Sequence, residues 1–468
     1  MTLWAQSPAP QNASRWLECT LQDLVARGLL LWDKLHGTFD LHPVVRGYVL
    51  DMLGGEARAY SGKYVANYFS ALGAPAYQDA VCLKDLADPI QLVQVLNLMG
   101  ATTEAWRVLR DDLRHALRRL EFYDELLALI KPLFPNGWHA SSTLTDDPGL
   151  VASLAGIALM RMGRLDEAVE QDRFAIRDAV KHGLSPNLCI NLRTYSIILN
   201  QLNDLPGRDR VLALAERVAM AIQDEAQVLR CAMVSVMYLT NDSRLAKARV
   251  RFDTAIEGAS ALIETDRQLE AQVLGTKVRL LFRETKLTAD ELDSAVVRVR
   301  VLGRRFWERA LHVVAGEWHQ SRHCHEKAID AFSGAIAMAR VVSLLDTDAE
   351  ARRGLSLVQV GRIQEARDAA LKAEEAPPHD ALATLYLALG EREAALKHAH
   401  KGFLAACANG VCHIRHWWLE ECRAVLKALN EPEPVLPPFD PAKHQPFPWE
   451  ADIHRMLAEH AAKQAKDA

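Results

Sequence analysis

SLAGIALMRMGRLDEAVEQDRFAI, residues 153–176, and RRGLSLVQVGRIQEARDAALKAEE, residues 352–375, place small residues at the same offsets. In the first they are Gly156, Gly163, Ala168 and Ala175; in the second they are Gly354, Gly361, Ala366 and Ala373. Seven residues separate the glycines, five more lead to an alanine, and seven more to the next alanine. Two antiparallel helices joined by a short turn need this pattern. Small side chains let the axes approach, and the second glycine accepts a turn conformation that a Cβ resists.

The spacing is tetratricopeptide-like. Weaker copies keep its frame, with Gly316, Ala328, Phe332 and Ala335 in one and Tyr386, Gly390 and Ala395 in another. Turns are expected near Gly163, Asn203, Asn241, Lys286, His323, Gly361 and Gly390. Most lie about 40 residues apart, against roughly 34 in the standard repeat, so the array is irregular and its helices long. The fold expected is all-α: a tetratricopeptide-like right-handed α-solenoid over residues 147–429, preceded by a partial winged helix with one β-hairpin.

The hairpin is read from LLLW and TFDL around the turn Lys34 to Gly37, where strand alternation replaces helical period. Before it, SRWLECTLQDLVARG has helical spacing and Gly28 stands where a helix stops; after it, Pro43 opens PVVRGYVLDML at a first-turn position. Residues 1–54 thus read as the tail of a winged helix and residues 55–146 as helical connectors. In residues 430–468, NEPEPVLPPFDPAKHQPFPWE is too proline-rich for helix and is expected to lie extended against the last array helices, before a C-terminal helix whose end, KQAKDA, frays.

Composition sets outer limits. Half of the 468 residues are hydrophobic, a quarter are charged, and the net charge of -5 gives no pull toward nucleic acid or anionic lipid. The eight cysteines are scattered without a Cys-x-x-Cys pair, so neither a disulfide framework nor a zinc ribbon is signalled and a reducing cytoplasm is expected. MTLWAQSPAPQNAS lacks a signal-peptide pattern, and no apolar run approaches the roughly 18 residues of a membrane helix.

Catalytic motifs are sparse. SGKY at Gly62 and Lys63 has Ala57 where a phosphate loop needs glycine, and Tyr64 where it needs the magnesium-binding hydroxyl. Neither Gly-x-Ser-x-Gly nor His-Glu-x-x-His occurs. The chain is therefore expected to be no enzyme and to hold no cofactor or metal of its own. In HQSRHCHEK, His319 and His323 are four apart on a helix and Cys324 and His325 follow, a spacing that can share a metal. The repeat frame instead puts His319 at a packing position and His323 in a turn, so structural packing is the reading adopted. Cys407, Cys412, His413 and His416 show no ligand spacing. Trp307, Trp318, Trp417 and Trp418 suit either core or ligand contact, and the adjacent pair Trp417 and Trp418 must point in different directions.

LVARGLLLWDKLHGTFDLHPVVRGYVLDML, followed by a tetratricopeptide-like array, resembles the winged-helix to sensor junction of the signal-transduction ATPases with numerous domains, the STAND class that includes NB-ARC and NACHT switches. There the wing hairpin ends in a Met-His-Asp or Leu-His-Pro type motif whose histidine reaches the β-phosphate of ADP in the neighbouring ATPase domain. By position Leu41, His42 and Pro43 occupy that motif, with Pro43 replacing the acidic residue of the fuller form. The resemblance implies that His42 contacts nucleotide only when joined to an ATPase domain that binds ATP or ADP and magnesium. It implies further that this chain is the C-terminal portion of a larger protein which oligomerises on activation; within the chain alone, His42 caps a strand.

The function expected is that of a ligand-sensing and autoregulatory module that recognises a protein or peptide trigger, with antiphage defence or transcriptional control as roles of bacterial members. In such arrays the first helix of each pair lines the concave face. That places Met160, Arg161, Arg193, Asn200, Gln201, Glu317, Gln320, Ser321 and Gln359 there as candidate ligand contacts. Two other readings stay open: a free-standing adaptor or chaperone scaffold, and the regulatory region of a STAND transcription activator. DNA contact by the winged helix itself is disfavoured, because LQDLVARGLLLWDK is acidic and apolar where a recognition helix would be basic.

Overall fold

Each turn inside a helix pair is made by one residue in the left-handed region: Gly163 (φ 75°), Asn203 (63°), Ser243 (59°), Thr285 (59°), His323 (58°), Gly361 (81°) and Gly390 (78°). The turns expected at Asn241 and Lys286 are thus centred on Ser243 and Thr285, within two residues. Around Gly163 its own N–H reaches the Met160 carbonyl and the Arg164 N–H reaches that of Leu159, the Schellman pattern that satisfies the last carbonyls of a helix; the same pair of bonds recurs at Asn203, Ser243 and His323. Glycine is the easiest occupant of this conformation, and asparagine, serine, threonine and histidine fill it where packing fixes the turn.

The chain is seen in a computed structural model that describes residues 13–33, 38–41, 52, 54–72, 77, 79–139, 146–410, 413–436 and 438–467. It divides into two compact units, one of residues 1–118, 128–135 and 143–146, the other of residues 119–127, 136–142 and 147–468.

In the first unit, α1 (Ala13–Ala26) ends before Gly28 (φ 70°), and β1 (Leu30–Asp33) pairs antiparallel with β2 (Thr38–Leu41), Leu30 opposite Leu41. Trp32 and Phe39 stack across this hairpin with ring centroids 5.7 Å apart, and both are exposed. His42 and Pro43, and with them the start of the helix expected after Pro43, lie outside the described residues. Helices α2 (Gly55–Ala71), α3 (Ala87–Leu98), α4 (Thr102–Val108) and α5 (Arg114–Arg119) follow, a single π-turn at Leu109–Leu113 joining the last two; α6 (Tyr123–Ile130) comes next in the chain.

The second unit is an all-α solenoid of helix pairs. They are α7 (Pro148–Arg161) with α8 (Leu165–Lys181), α9 (Pro186–Gln201) with α10 (Leu205–Ala221), and α11 (Glu225–Asn241) with α12 (Leu245–Ile256). After the short α13 (Ser260–Thr265) come α14 (Arg267–Arg283) with α15 (Ala289–Val301), α16 (Arg305–Ser321) with α17 (His325–Val341), α18 (Thr347–Gln359) with α19 (Ile363–Ala373), and α20 (His379–Ala388) with α21 (Arg392–Ala406). A lone α22 (His416–Ala428) covers the last pair, and α23 (Glu450–Asp467) ends the chain as regular helix, where fraying was expected.

Small residues set the seams as the spacing predicts. Ala168, Ala175, Ala366 and Ala373 are fully buried. A Cβ on Gly354 would stand 2.7 Å from Leu385 Cδ2, and one on Gly316 2.5 Å from the Phe332 ring. First helices begin with side-chain caps: Asp147, Ser185, Asp224 and Asp346 each accept an N–H three residues on.

The array also turns back on itself. Between α21 and α22, the Asn409 amide donates to the Asn203 carbonyl at 2.6 Å, and Arg415 donates to Asn203 Oδ1 at 2.8 Å and to the Asn200 carbonyl. Trp417 Nε1 donates to the Thr240 carbonyl at 3.0 Å. The proline-rich segment comes after this closure. Glu433 pairs with Arg423 on α22, but His444 then meets Asp204 at 2.9 Å, and Phe447 and Trp449 pack edge-on against Tyr195 on α9. The expectation that it lies against the last helices therefore holds only for its beginning. Its aromatic half packs on α9 and α10, because the closure brings the second pair beside the last.

Candidate functional site

First helices of successive pairs each turn one stripe inward, where the closing segment meets them. Asn200, Asn241, Arg279, Arg283, Glu317, Asp348, Arg352, His379 and Asp380 come from α9, α11, α14, α16, α18 and α20, and with Arg415, Trp417 and Trp418 they line a cavity of about 370 Å³. Arg279 and Arg283 are one turn apart on α14, as are Asp348 and Arg352 on α18, so each pair of side chains shares a face.

The cavity wall is a chain of alternating charges. Arg283 approaches Glu317 at 3.5 Å, Glu317 approaches Arg352 at 3.5 Å, and Arg352 also meets Asp348 (3.1 Å), Glu421 (3.3 Å) and Asp380 (3.5 Å). Burial opposes the Arg352 charge, but the four carboxylates outweigh it and hold its pKa well above the usual value. Burial likewise opposes the Glu317 charge, and Arg352, Arg283 and Arg279 hold its carboxyl below the usual range. Asp380 is different. Burial pushes its pKa up to about 7 against the pull of Arg352, and its Oδ2 has no hydrogen-bond partner. Burial lowers Arg283, and burial with the neighbouring Arg208 lowers Arg415 to about 10. Each indole carries a guanidinium, Arg283 over Trp417 at 4.7 Å and Arg415 over Trp418 at 4.5 Å.

From His379 in the wall runs a part-buried series of hydrogen bonds. His379 Nδ1 is 2.9 Å from His398 Nδ1, His398 Nε2 is 2.9 Å from Glu374 Oε1, and the Tyr386 hydroxyl donates to the same oxygen at 3.0 Å. Two facing Nδ1 atoms need one proton between them. Assigning the His398 Nε2 proton to the carboxylate makes its Nδ1 the acceptor and His379 the donor. Burial lowers both imidazoles, so they stay neutral near pH 7.

Of the candidate contacts read from sequence, Asn200 and Glu317 line the cavity together. Gln320 sits beside it, donating to the Arg352 carbonyl at 3.2 Å and to Ser356 Oγ at 3.0 Å. The others are spread elsewhere. Met160 is buried, the Arg161 guanidinium lies 4.0 Å over the Phe306 ring, and Arg193 donates to Gln227. Gln201 and Gln359 are exposed, and the exposed Ser321 donates to the Trp318 carbonyl. Arg279, Arg283, Arg352, Asp380 and Arg415 were not singled out. The signal for the first two was present, since Arg279 and Arg283 stand six and two residues before the turn residue Thr285, as Glu317 and Ser321 do before His323.

The tryptophans divide. Trp417 and Trp418 reach the cavity, whereas Trp307 and Trp318 pack against the core of the fourth and fifth pairs, Trp318 Nε1 donating to the Leu287 carbonyl at 3.1 Å. His323 and His325 face each other at 6.0 Å, and His319 packs on Trp318. Among the described residues no three His, Cys, Asp or Glu side chains come together as a metal group, and no helix is long and apolar enough to cross a membrane. Cys412 is not among those residues.

Among solved structures, the chain is similar to the crystal structure of a Signal Transduction ATPase with Numerous Domains (STAND) protein with a tetratricopeptide repeat sensor from Pyrococcus horikoshii. The identity is 12% and the TM-score 0.31, over 88% of this chain and 52% of that one. The chain thus spans about half the length of that protein, and its fold rests on the helix pairs themselves and not on this likeness. No family model and no curated protein matches the chain.

Proposed function

We propose that this chain is the sensing and autoregulatory region of a STAND-type signalling ATPase, with the helical array as sensor and the segment around the hairpin as winged-helix junction. The observation that carries the reading is the inner cavity: six successive first helices line it, the last four of them with mutually compensating charges, and the chain's own Arg415, Trp417 and Trp418 border it. A structural core gains little from such groups, since buried ion pairs contribute weakly to stability, whereas a site that must recognise a polar trigger needs them. The chain is then non-catalytic, and ATP or ADP with magnesium belongs to a neighbouring ATPase domain, where His42 would meet the nucleotide phosphate. The trigger is a protein, a peptide or a part of one. Defence against phage and transcriptional control are the roles that fit such a switch.

The test joins sequence to biochemistry. The expected result is a Gly-x-x-x-x-Gly-Lys-Ser/Thr motif encoded upstream of Met1, together with ATP hydrolysis by the joined protein that changes when Arg283 or Glu317 is exchanged. No phosphate loop there, or hydrolysis indifferent to both exchanges, contradicts the reading.

A further inference from the structure

The cavity has two chemically unlike sides. On α14, Arg279 makes no hydrogen bond or ion pair among the described residues, and Arg283 has one ion pair, the 3.5 Å approach to Glu317. Two guanidinium groups one turn apart repel each other, and both line the cavity. Around Arg352, in contrast, gather four carboxylates, of which Glu317 alone also meets Arg283. Within that group Asp380 is 4% exposed and its Oδ2 accepts no hydrogen bond. One side therefore has more cations than anions, and the other a carboxylate oxygen without a hydrogen-bond donor. At about 370 Å³ the space lies near the lower end of small-molecule sites, roughly 300 to 1,000 Å³, too small for a folded partner.

We propose that the cavity binds a compact zwitterion, a free amino acid or a dipeptide, with its carboxylate on Arg279 and Arg283 and its ammonium group beside Asp380 and Asp348. A guanidinium fork matches a carboxylate with two parallel hydrogen bonds, and an ammonium group supplies the donor that Asp380 lacks. The indoles of Trp417 and Trp418, each with a guanidinium over one face, border the part between. A long peptide does not satisfy both sides with its termini, because these lie far apart. The inference rests on the inner cavity being the sensing site, and it narrows the trigger to a unit of one or two amino-acid residues. It is read by binding alone, so that failed coupling to an ATPase and a failed ligand assignment give separate results.

The experiment is calorimetry and thermal unfolding of the whole chain with the twenty free amino acids and a panel of dipeptides, each also as its N-acetyl and C-amide form. At least one unblocked compound is expected to bind saturably, and either blocking group to weaken it by about tenfold or more. Arg279→Met removes no hydrogen bond or ion pair, and its lost attraction to Glu317 is offset by relief of its repulsion of Arg283; it should shift the unliganded unfolding temperature little, with about tenfold weaker binding that Arg279→Lys partly restores. Absence of binding by every unblocked compound at about 10 mM, equal binding by a blocked form, or undiminished binding by Arg279→Met overturns the proposal. Inorganic phosphate binding in place of the zwitterions overturns it as well, since it engages only the cationic side.

Discussion

Helix pairs α7–α8 and α18–α19 carry the same small-residue spacing and do different things. Gly156 and Gly354 permit close helix approach in both, and Gly163 and Gly361 make the same left-handed turn. Two residues before the first glycine, however, Leu154 is buried in α7 while Arg352 on α18 gathers four carboxylates into the cavity. Sixteen residues after it the contrast reverses. Ala370 is core, whereas Asp172 is fully buried with neither carboxyl oxygen hydrogen-bonded. Small residues at fixed offsets decide how two helices meet; the positions between them decide what the inner face can bind.

Exchanging the contrasting residues should break that distinction, and the largest effect is expected at Arg352. Arg352→Leu gives α18 the residue of α7, strands Asp348, Asp380 and Glu421 without their shared cation, and leaves Glu317 with Arg283. The loss expected at pH 7.5 is about 3 to 5 kcal/mol by denaturant unfolding, smaller at pH 5, where carboxylates take up protons. An unchanged midpoint would mean that the four pairs carry no net attraction.

Next in size is Gly354→Val. Its side chain meets Leu385 and Ala369, and overpacking of this kind costs about 1 to 3 kcal/mol. Gly361→Ala should cost less, about 1 kcal/mol, because nothing lies within 4 Å and only the left-handed backbone resists. Equal losses at the two positions would remove the division between approach glycine and turn glycine.

Asp172→Ala, which gives α8 the residue of α19, should change stability in the other direction. Burial raises the Asp172 pKa well above the usual carboxyl value, so the folded chain keeps a proton that the unfolded chain releases near pH 4. Stability then falls as pH rises above that point. The variant should gain about 1 kcal/mol at pH 8 and little at pH 4.5. A pH-independent difference would place a hydrogen-bond partner at Asp172.

These contrasts also mark what could be read from the chain. Turn positions and helix pairs were legible because small residues and helical period are local signals, and even Ser243 and Thr285, without glycine, fell within two residues of their expected turns. The inner stripe was half legible: Glu317 and Asn200 come from the frame, but counting polar residues near the turns also drew in Gln201, Ser321 and Gln359, which face solvent or their own helix. Arg415 was out of reach. Its partners Asn200 and Asn203 lie more than two hundred residues away, and no period connects α9 to the segment before α22. The same closure explains why Phe447 and Trp449 pack on Tyr195 and not on the last helices.

Closure of the array by its own later segment is therefore the central claim, because it turns a lined groove into a partly open cavity. A double-mutant cycle between Asn203→Ala and Arg415→Ala measures it most directly, by equilibrium unfolding of the wild type, both single variants and the double. A coupling energy of about 1 to 3 kcal/mol is expected from residues joined across the closure. Strict additivity of the two losses would contradict the contact, and with it the cavity it borders.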